Sequence, residues 1–325
     1  MHYYNKPVFQ GLDPKKLSQQ LFEQKLTNKI PEIVSGKVRD IINLKNELLI
    51  ITTDRLSAFD KVLTTIPFKG QILNQLSVFW FNKTRTIIKN HFIKELTPRS
   101  ILAKKCQVFP YEFIIRGYLT GSAYREYNQT GTISQQKIDS GLRFNQKFSK
   151  PIFTPQTKAV NGQHDISVSK DFILKDKILS PILLNQIEQI SLKLFNLGSH
   201  HVAQQGLILV DTKYEFGLSN NELYLVDEIH TPDSSRFWYA DSYQKLFEQG
   251  RKQRKLDKEY IRQWLMERNY MGDGQPPEIP DAIKEELTTK YLEAYKLITG
   301  SALIMSETSY ETEIDTYITE IALKT

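Results

Sequence analysis

The chain has 325 residues, 40% of them hydrophobic and 25% charged, with 43 basic against 37 acidic side chains and a formal net charge of +6. That composition belongs to an ordinary globular protein, large enough for two packed lobes or one large domain, and no apolar run approaches the roughly 20 residues that a membrane-spanning helix needs. A single cysteine, Cys106, excludes an internal disulfide and a cysteine-based zinc site; the start, Met1-His-Tyr-Tyr-Asn-Lys-Pro7, lacks the apolar stretch of a secretory signal, so the expected compartment is the cytoplasm.

In chain order, the first thirty residues carry no motif and read as packing. Residues 30–115 read as short β segments, at 37–44, 48–53 and 106–116, around a helix beginning near Gly70, with Ile72, Leu76 and Phe79 at helical spacing. Ser35-Gly-Lys-Val-Arg-Asp40 lies between Ile33-Val34 and Ile41-Ile42, so Gly36 opens a tight strand-to-strand turn followed by two cations. Such a turn can lay backbone N–H groups and basic side chains against phosphates, although a plain hairpin has the same pattern. Thr53-Asp-Arg-Leu-Ser-Ala-Phe-Asp60 sets acid, base and acid beyond a strand, and a local Asp–Arg pair capping the next turn accounts for it equally. Ile114-Ile-Arg-Gly-Tyr-Leu-Thr-Gly-Ser122 ends a strand in Arg116 and enters a helix at Ser122. It reads as an anion clamp or as a simple N-cap.

From Ser122 longer helices alternate with strands, as in a larger α+β lobe. The stretch 131–163 is polar, lacks periodicity and reads as a long ordered loop over the site. His164-Asp165 suggests acid–base work or an ordinary loop hydrogen bond, and His200-His201 read as structural. Ile187, Ile190, Leu194 and Leu197 mark a helix, and further helices are expected near 257–268 and at 281–299. The run Leu207-Ile-Leu-Val-Asp-Thr-Lys-Tyr-Glu215 puts Asp211, Lys213 and Glu215 on one strand face, and Thr212, Tyr214 and Phe216 on the other. A three-residue loop, Asn220 to Glu222, would pair Ser219 with Leu223 and Glu215 with Asp227. Opposed carboxylates about 5 Å apart repel and want a cation, and all-oxygen ligation suits Mg²⁺ better than zinc; a surface hairpin with solvated charges is the alternative. Thr231-Pro-Asp-Ser-Ser-Arg-Phe-Trp238 then brings Arg236 within one loop of Asp227.

The positive charge points to anionic partners. The lysines are scattered, the densest basic run, Arg251 to Lys255, precedes an expected helix and reads as a solvated face, and no aromatic-basic stripe accompanies the 16 tyrosines, so nucleic acid and membrane give way to small-molecule ligands. A monomer is expected, since no heptad or interface pattern occurs.

In order, GKVRD (36–40), TDRLSAFD (53–60), IIRGYLTGSAYREY (114–127), IFTPQTKA (152–159), GQHD (162–165), DTKYEFG (211–217), VDEIHTPDSSRFW (226–238) and YLEAYKLITG (291–300) resemble the SAICAR synthetase family, in wording its longer, eukaryotic-type branch. The resemblance implies an α+β, two-lobed fold: a small, mostly antiparallel ATP-binding lobe (1–112), a larger α+β lobe with the metal and substrate site (113–325), and an ATP cleft between them. It implies ATP-dependent ligation of L-aspartate to the carboxylate of 5-amino-1-(5-phospho-D-ribosyl)imidazole-4-carboxylate (CAIR), giving the succinocarboxamide SAICAR, ADP and phosphate in purine biosynthesis. By the same resemblance Gly36, Lys37, Val38 and Arg39 cover the ATP phosphates, and adenine lies near Cys106 to Glu112. Glu215 and Asp227 hold Mg²⁺, Lys213 neutralises the transferring group, and Asp211 stands beside it. Arg116, Ser122 and Arg236 take the ribonucleotide phosphate or a substrate carboxylate, and Asp60 and His164 belong to the substrate site. The stretch Lys61 to Gly70 departs from the motifs, so Lys61 and Lys69 are assigned nothing. A kinase with a two-lobed ATP site is the nearest rival; the chain lacks an HRD-like loop and a DFG triplet, and aspartate-dependent phosphate release separates the two.

Overall fold

The computed structural model describes residues 3, 6–23, 31–59, 61–158, 166–256 and 258–324. Asp60 and His164 lie outside the described residues. The chain divides into two compact units: residues 1–79, 91–105 and 259–325 form the first, and 80–90 with 106–258 the second.

The first unit is built on a five-stranded antiparallel sheet, ordered Glu32–Ser35, Arg39–Asn43, Glu47–Thr52, Ser100–Lys104, Phe92–Thr97. Glu47–Thr52 holds a continuous Leu-Leu-Ile-Ile run because both of its faces are covered. Leu49 and Ile51 pack with Leu17 and Leu21 of helix Pro14–Glu23 and with Ile314, Ile318 and Ile321 of helix Tyr310–Lys324. Ile50 faces the other way, with Ile101 and Ala103. The C-terminal residues therefore group with the N-terminal ones, joined by a shared apolar core. Helix Lys69–Thr84 starts hard against the sheet: a Cβ on Gly70 would sit 2.3 Å from the Thr52 carbonyl oxygen.

The second unit is organised around strand Leu207–Ser219, buried along most of its length. It is flanked on both edges: Asp211 pairs with Arg116 of strand Tyr111–Tyr118 and with Arg236 of strand Ser235–Tyr239, while Gly217 lies between Tyr224 and Val108. Helix Pro181–Ala203, capped by Ser180, buries Ile187, Leu194 and Val202.

Several expectations change. The segment expected as one strand at 106–116 is two, Gln107–Val108 and Tyr111–Tyr118, separated at Pro110, which has no N–H to give a ladder. Arg116 is consequently inside a strand. Ser122 is no N-cap: Thr120 holds the N-cap position of helix Gly121–Thr130, without a side-chain cap bond, and Ser122 falls in its first turn. The stretch 131–163, expected as a loop, contains the small hairpin Thr132–Ile133/Gln136–Lys137 and the long strand Lys147–Thr157. That strand lies at the sheet's edge, where Pro151 and Pro155 can be accommodated, and a register irregularity falls between Lys147 and Ile152. Finally, the central hairpin is one residue tighter than expected. Asn220 and Asn221 both adopt positive φ, 51° and 60°, making a two-residue loop that pairs Ser219 with Glu222 and Glu215 with Val226. Asp227 then stands just beyond the strand, itself at φ 67°.

Candidate active site

Three charged side chains of strand Leu207–Ser219 organise two clusters. The first surrounds Asp211. Its Oδ2 accepts a hydrogen bond from Arg236 Nη1 at 2.7 Å and lies 3.6 Å from Arg116 Nη1. Arg116 also donates from Nε to Thr154 Oγ1 at 2.9 Å, tying the cluster to the edge strand. Burial, with Arg236 nearby, pushes the Arg116 guanidinium down to about 10 although Asp211 opposes the shift; at neutral pH it stays charged. Helix Gly121–Thr130 starts against this pair. Gly121 has φ +60°, and a Cβ there would lie 2.4 Å from both terminal nitrogens of Arg236, so only glycine lets the helix N-terminus approach the guanidinium. Two arginines against one carboxylate leave the group net positive beside a helix N-terminus, a disposition suited to a phosphate or carboxylate.

The second cluster surrounds Lys213. Its Nζ contacts Glu215 Oε1 at 2.5 Å, Asp227 Oδ2 at 2.9 Å and Glu112 Oε1 at 3.3 Å. Lys158 Nζ bonds the other oxygen of Glu215. Burial by itself would lower the lysine, yet Asp227, Glu215 and Glu112 together hold it well above the ordinary range, so it is a fixed positive charge. The expected meeting of Glu215 and Asp227 is thus realised through Lys213 and not through direct strand pairing. These bridges join three carboxylates to two ammonium groups, the opposite balance from the first cluster.

The loop after strand Glu222–Val226 is held by its own bonds and is tied to the backbone of Lys213. Thr231 Oγ1 donates to Glu228 Oε2 at 2.7 Å, and Lys213 N donates to Ser234 O at 3.1 Å. On the opposite strand face Tyr214 Oη lies 2.6 Å from His230 Nε2. His230 is fully buried against the Trp80 ring, and its Cε1 would lie 2.5 Å from a Cβ on Gly198. Burial, aided by His201, pushes His230 down to about 3, which keeps it neutral.

In the first unit the Gly36 turn forms as expected between paired strands, closed by a 2.7 Å bond from Gly36 N to Arg39 O. Gly36 and Lys37 are exposed, Val38 and Arg39 half-buried. Within the second unit the structure brings together Glu112, Lys213, Glu215 and Asp227, and separately Arg116, Asp211 and Arg236. Ser122 lies one residue beyond Gly121 in the first helical turn, with no side-chain bond to the cluster among the described contacts. Lys158 and Thr154, both in contact with cluster residues, have no role that the sequence motifs assign. Thr154, like Lys158, lies inside the IFTPQTKA motif, and its alternation with Ile152 and Gln156 is hidden by the flanking prolines.

Clusters of opposite balance on one strand face suit an enzyme acting on charged small molecules, and the comparisons with known proteins give the class. The sequence profile of the SAICAR synthetase family matches residues 32–278, most of the chain, and the chain belongs to that family. The phosphoribosylaminoimidazole-succinocarboxamide synthase of Bacteroides thetaiotaomicron is 45% identical over 282 residues, covering 85% of this chain and 90% of its own length. The chloroplastic synthase of Arabidopsis thaliana is 41% identical over 303 residues, 90% of this chain and 73% of the plant protein. Among solved structures, the SAICAR synthase of Saccharomyces cerevisiae complexed with SAICAR superposes with a TM-score of 0.74 at 34% identity, over 86% of this chain and 98% of that one. A type-2 SAICAR synthetase in complex with ADP gives a TM-score of 0.66 at 26% identity, over 84% of this chain and all of that one. The mixed helix and antiparallel sheet expected from the motifs is the observed architecture.

Proposed function

We propose that the chain joins the amine of L-aspartate to the carboxylate of CAIR, consuming ATP and releasing SAICAR, ADP and phosphate in purine biosynthesis. Family membership supports this reading, as do the SAICAR and ADP bound by solved relatives. The observation that carries it in this chain is the juxtaposition, two residues apart on one strand face, of an arginine cradle for an anion and a carboxylate-ringed lysine.

A carboxylate is a poor acyl donor because oxide is a poor leaving group. In the proposed route a CAIR carboxylate oxygen attacks the γ-phosphorus while its bond to ADP breaks. The aspartate nitrogen then attacks the acyl phosphate carbon, phosphate departs with the bridging oxygen, and the nitrogen loses a proton. Arg116 and Arg236 are assigned to the ribonucleotide phosphate or a substrate carboxylate, with Ser122 in the adjoining helical turn, and Asp211 sets the spacing of the two guanidiniums. Lys213 is assigned to neutralise the transferring phosphoryl group. The turn formed by Gly36, Lys37, Val38 and Arg39 is assigned to the ATP phosphates, and Glu112 to the nucleotide. Asp60 and His164 are assigned to the substrates by family resemblance.

Mg²⁺ is proposed to accompany ATP, held by Glu215 and Asp227. The donors fit a hard cation: they are all oxygen, and the bridged group around them carries more carboxylates than ammoniums. No group of three or more metal-holding side chains occurs among the described residues, so phosphate oxygens and water would complete the shell. When bound, the ion supplies charge neutralisation at the phosphate oxygens. The reading also includes a monomer that acts on small molecules in the cytoplasm, with neither nucleic acid nor membrane as a partner. No helix of the described residues is long and apolar enough to cross a membrane. Turnover with ATP, Mg²⁺, CAIR and L-aspartate, followed by chromatography for SAICAR and by phosphate release, tests the activity. Phosphate release without aspartate dependence, or no SAICAR, overturns it.

A further inference from the structure

We infer that Arg55, locked by Asp40 and the segment Phe9 to Leu12, is the positioning residue that presents the Gly36–Arg39 turn to nucleotide phosphates. This rests on the reading of that turn as the phosphate site. The sequence suggested a local Asp54–Arg55 pair. The structure separates them: Asp54 accepts from Phe9 N at 2.7 Å, Gly70 N at 2.8 Å and Arg99 Nη1 at 3.3 Å, while Arg55 turns to the glycine turn.

Arg55 donates from Nη2 to Gly36 O at 2.9 Å and from Nε to Lys37 O at 3.1 Å. The next carbonyl, Val38 O, is held at 2.9 Å by both Thr53 N and Thr53 Oγ1. Consecutive carbonyls of the turn are therefore pinned to one side. In a planar trans peptide the C=O and the following N–H point in opposite directions. Pinning Gly36 O and Lys37 O toward Arg55 consequently directs the N–H groups of Lys37 and Val38 away from it, the arrangement from which an anion-binding nest is made. The guanidinium is itself fixed, by Asp40 Oδ1 at 2.8 Å and by Gln10 O at 2.6 Å. Asp40 is fully buried, and its Oδ2 accepts from Leu12 N at 2.7 Å.

Gly11 closes this lock. It has φ +129°, and a Cβ there would lie 2.1 Å from Arg55 Nη1 and 2.5 Å from Asp40 Oδ2. The segment that holds Arg55 lies outside the matched residues 32–278, so a stretch without a motif acquires a role in nucleotide binding.

Arg55→Lys and Gly11→Ala are compared with Lys37→Ala and wild type, reading KM for ATP, KM for aspartate, kcat and the melting temperature. Lysine keeps the charge against Asp40 but cannot serve two carbonyls and a carboxylate with one fork. The expected result is a KM for ATP raised about tenfold in Arg55→Lys and Gly11→Ala, the equivalent of one lost charge-assisted hydrogen bond. Aspartate KM stays unchanged, and melting falls little in Arg55→Lys and further in Gly11→Ala, whose new Cβ sits at a positive φ. Wild-type ATP KM in both variants, while Lys37→Ala raises it, overturns the positioning role and leaves the phosphate turn standing. A parallel rise in every KM together with a large melting loss also overturns it, since that marks a merely structural pair. No ATP effect in Lys37→Ala overturns the reading of the turn itself and this inference with it.

Discussion

The two clusters on strand Leu207–Ser219 use the same side-chain types in opposite proportion. Around Asp211 two guanidiniums share one carboxylate; around Lys213 three carboxylates share one ammonium, with Lys158 adding a second. On the proposed reading, neighbouring positions of one strand serve an anion and a cation in turn, at the spacing that the strand sets. An enzyme that must hold a carboxylate against a triphosphate needs both at once. The contrast also predicts that damage to the two clusters differs in kind: the lysine cluster should govern kcat and the arginine cluster KM.

The largest effect is expected at Lys213. Lys213→Met should lower kcat about a thousandfold, as removal of one preorganised charge at a phosphoryl group can. It also leaves Glu112, Glu215 and Asp227 without their shared ammonium, so melting should fall; Lys213→Arg should recover melting more fully than kcat. Equal recovery of both would reduce the cluster to structural ion pairing. Next, Asp227→Asn should lower kcat about a hundredfold with the fold retained, because Lys213 still has Glu215 and Glu112. The Mg²⁺ concentration for half-maximal rate should rise in the same variant. An unchanged Mg²⁺ requirement in a folded, slow enzyme would remove Asp227 from the metal.

On the arginine side, Gly121→Ala should displace Arg236, whose terminal nitrogens sit 2.4 Å from where the new Cβ would stand. KM for the ribonucleotide is expected to rise about tenfold while KM for ATP holds. If instead kcat falls and that KM does not, the division of labour between the clusters is wrong.

How far this contrast could be read in the sequence follows from the kind of contact involved. Alternation along one strand is local, so placing Asp211, Lys213 and Glu215 on one face needed only the period of two, and the Lys213–Glu215 contact bears it out. Register depends on the turn. Asn220-Asn221 is a two-residue loop with both φ positive, and counting Glu222 into the loop shifted Asp227 from just beyond the strand to directly opposite Glu215. The arginine cluster joins Arg116, Thr154, Asp211 and Arg236 from separate strands, and nothing in any one segment names its partner across a sheet. Strand Lys147–Thr157 escaped because its prolines obscure β periodicity, which an edge position tolerates. The N-terminal segment escaped because its task is done by main-chain groups of Phe9, Gln10 and Leu12, which no side-chain motif encodes.

The smallest expected effect lies on the reverse face of the same strand, where Tyr214 meets a base kept neutral while Lys213 is kept charged. A raised lysine contributes its stability wherever pH is below the unfolded value of about 10.4 and loses it only as pH climbs through the higher folded value, so Lys213 adds no slope near neutrality. His230 behaves oppositely. With a folded value of about 3 against about 6.5 unfolded, both states are neutral above pH 6.5; below it the unfolded chain binds a proton that the fold refuses. Wild-type stability should then fall by roughly 1.4 kcal/mol per pH unit beneath 6.5 on this account. In His230→Gln, which can still meet the Tyr214 hydroxyl, that component should vanish. Urea unfolding of both proteins at pH 7.5, 6.5 and 5.5 measures it: the stability difference should move in favour of the variant by about 0.4 kcal/mol over the first interval and about 1 kcal/mol over the second. A constant difference throughout would mean that water reaches the buried ring, and that the reverse face of the strand is not the dry support on which the two clusters depend.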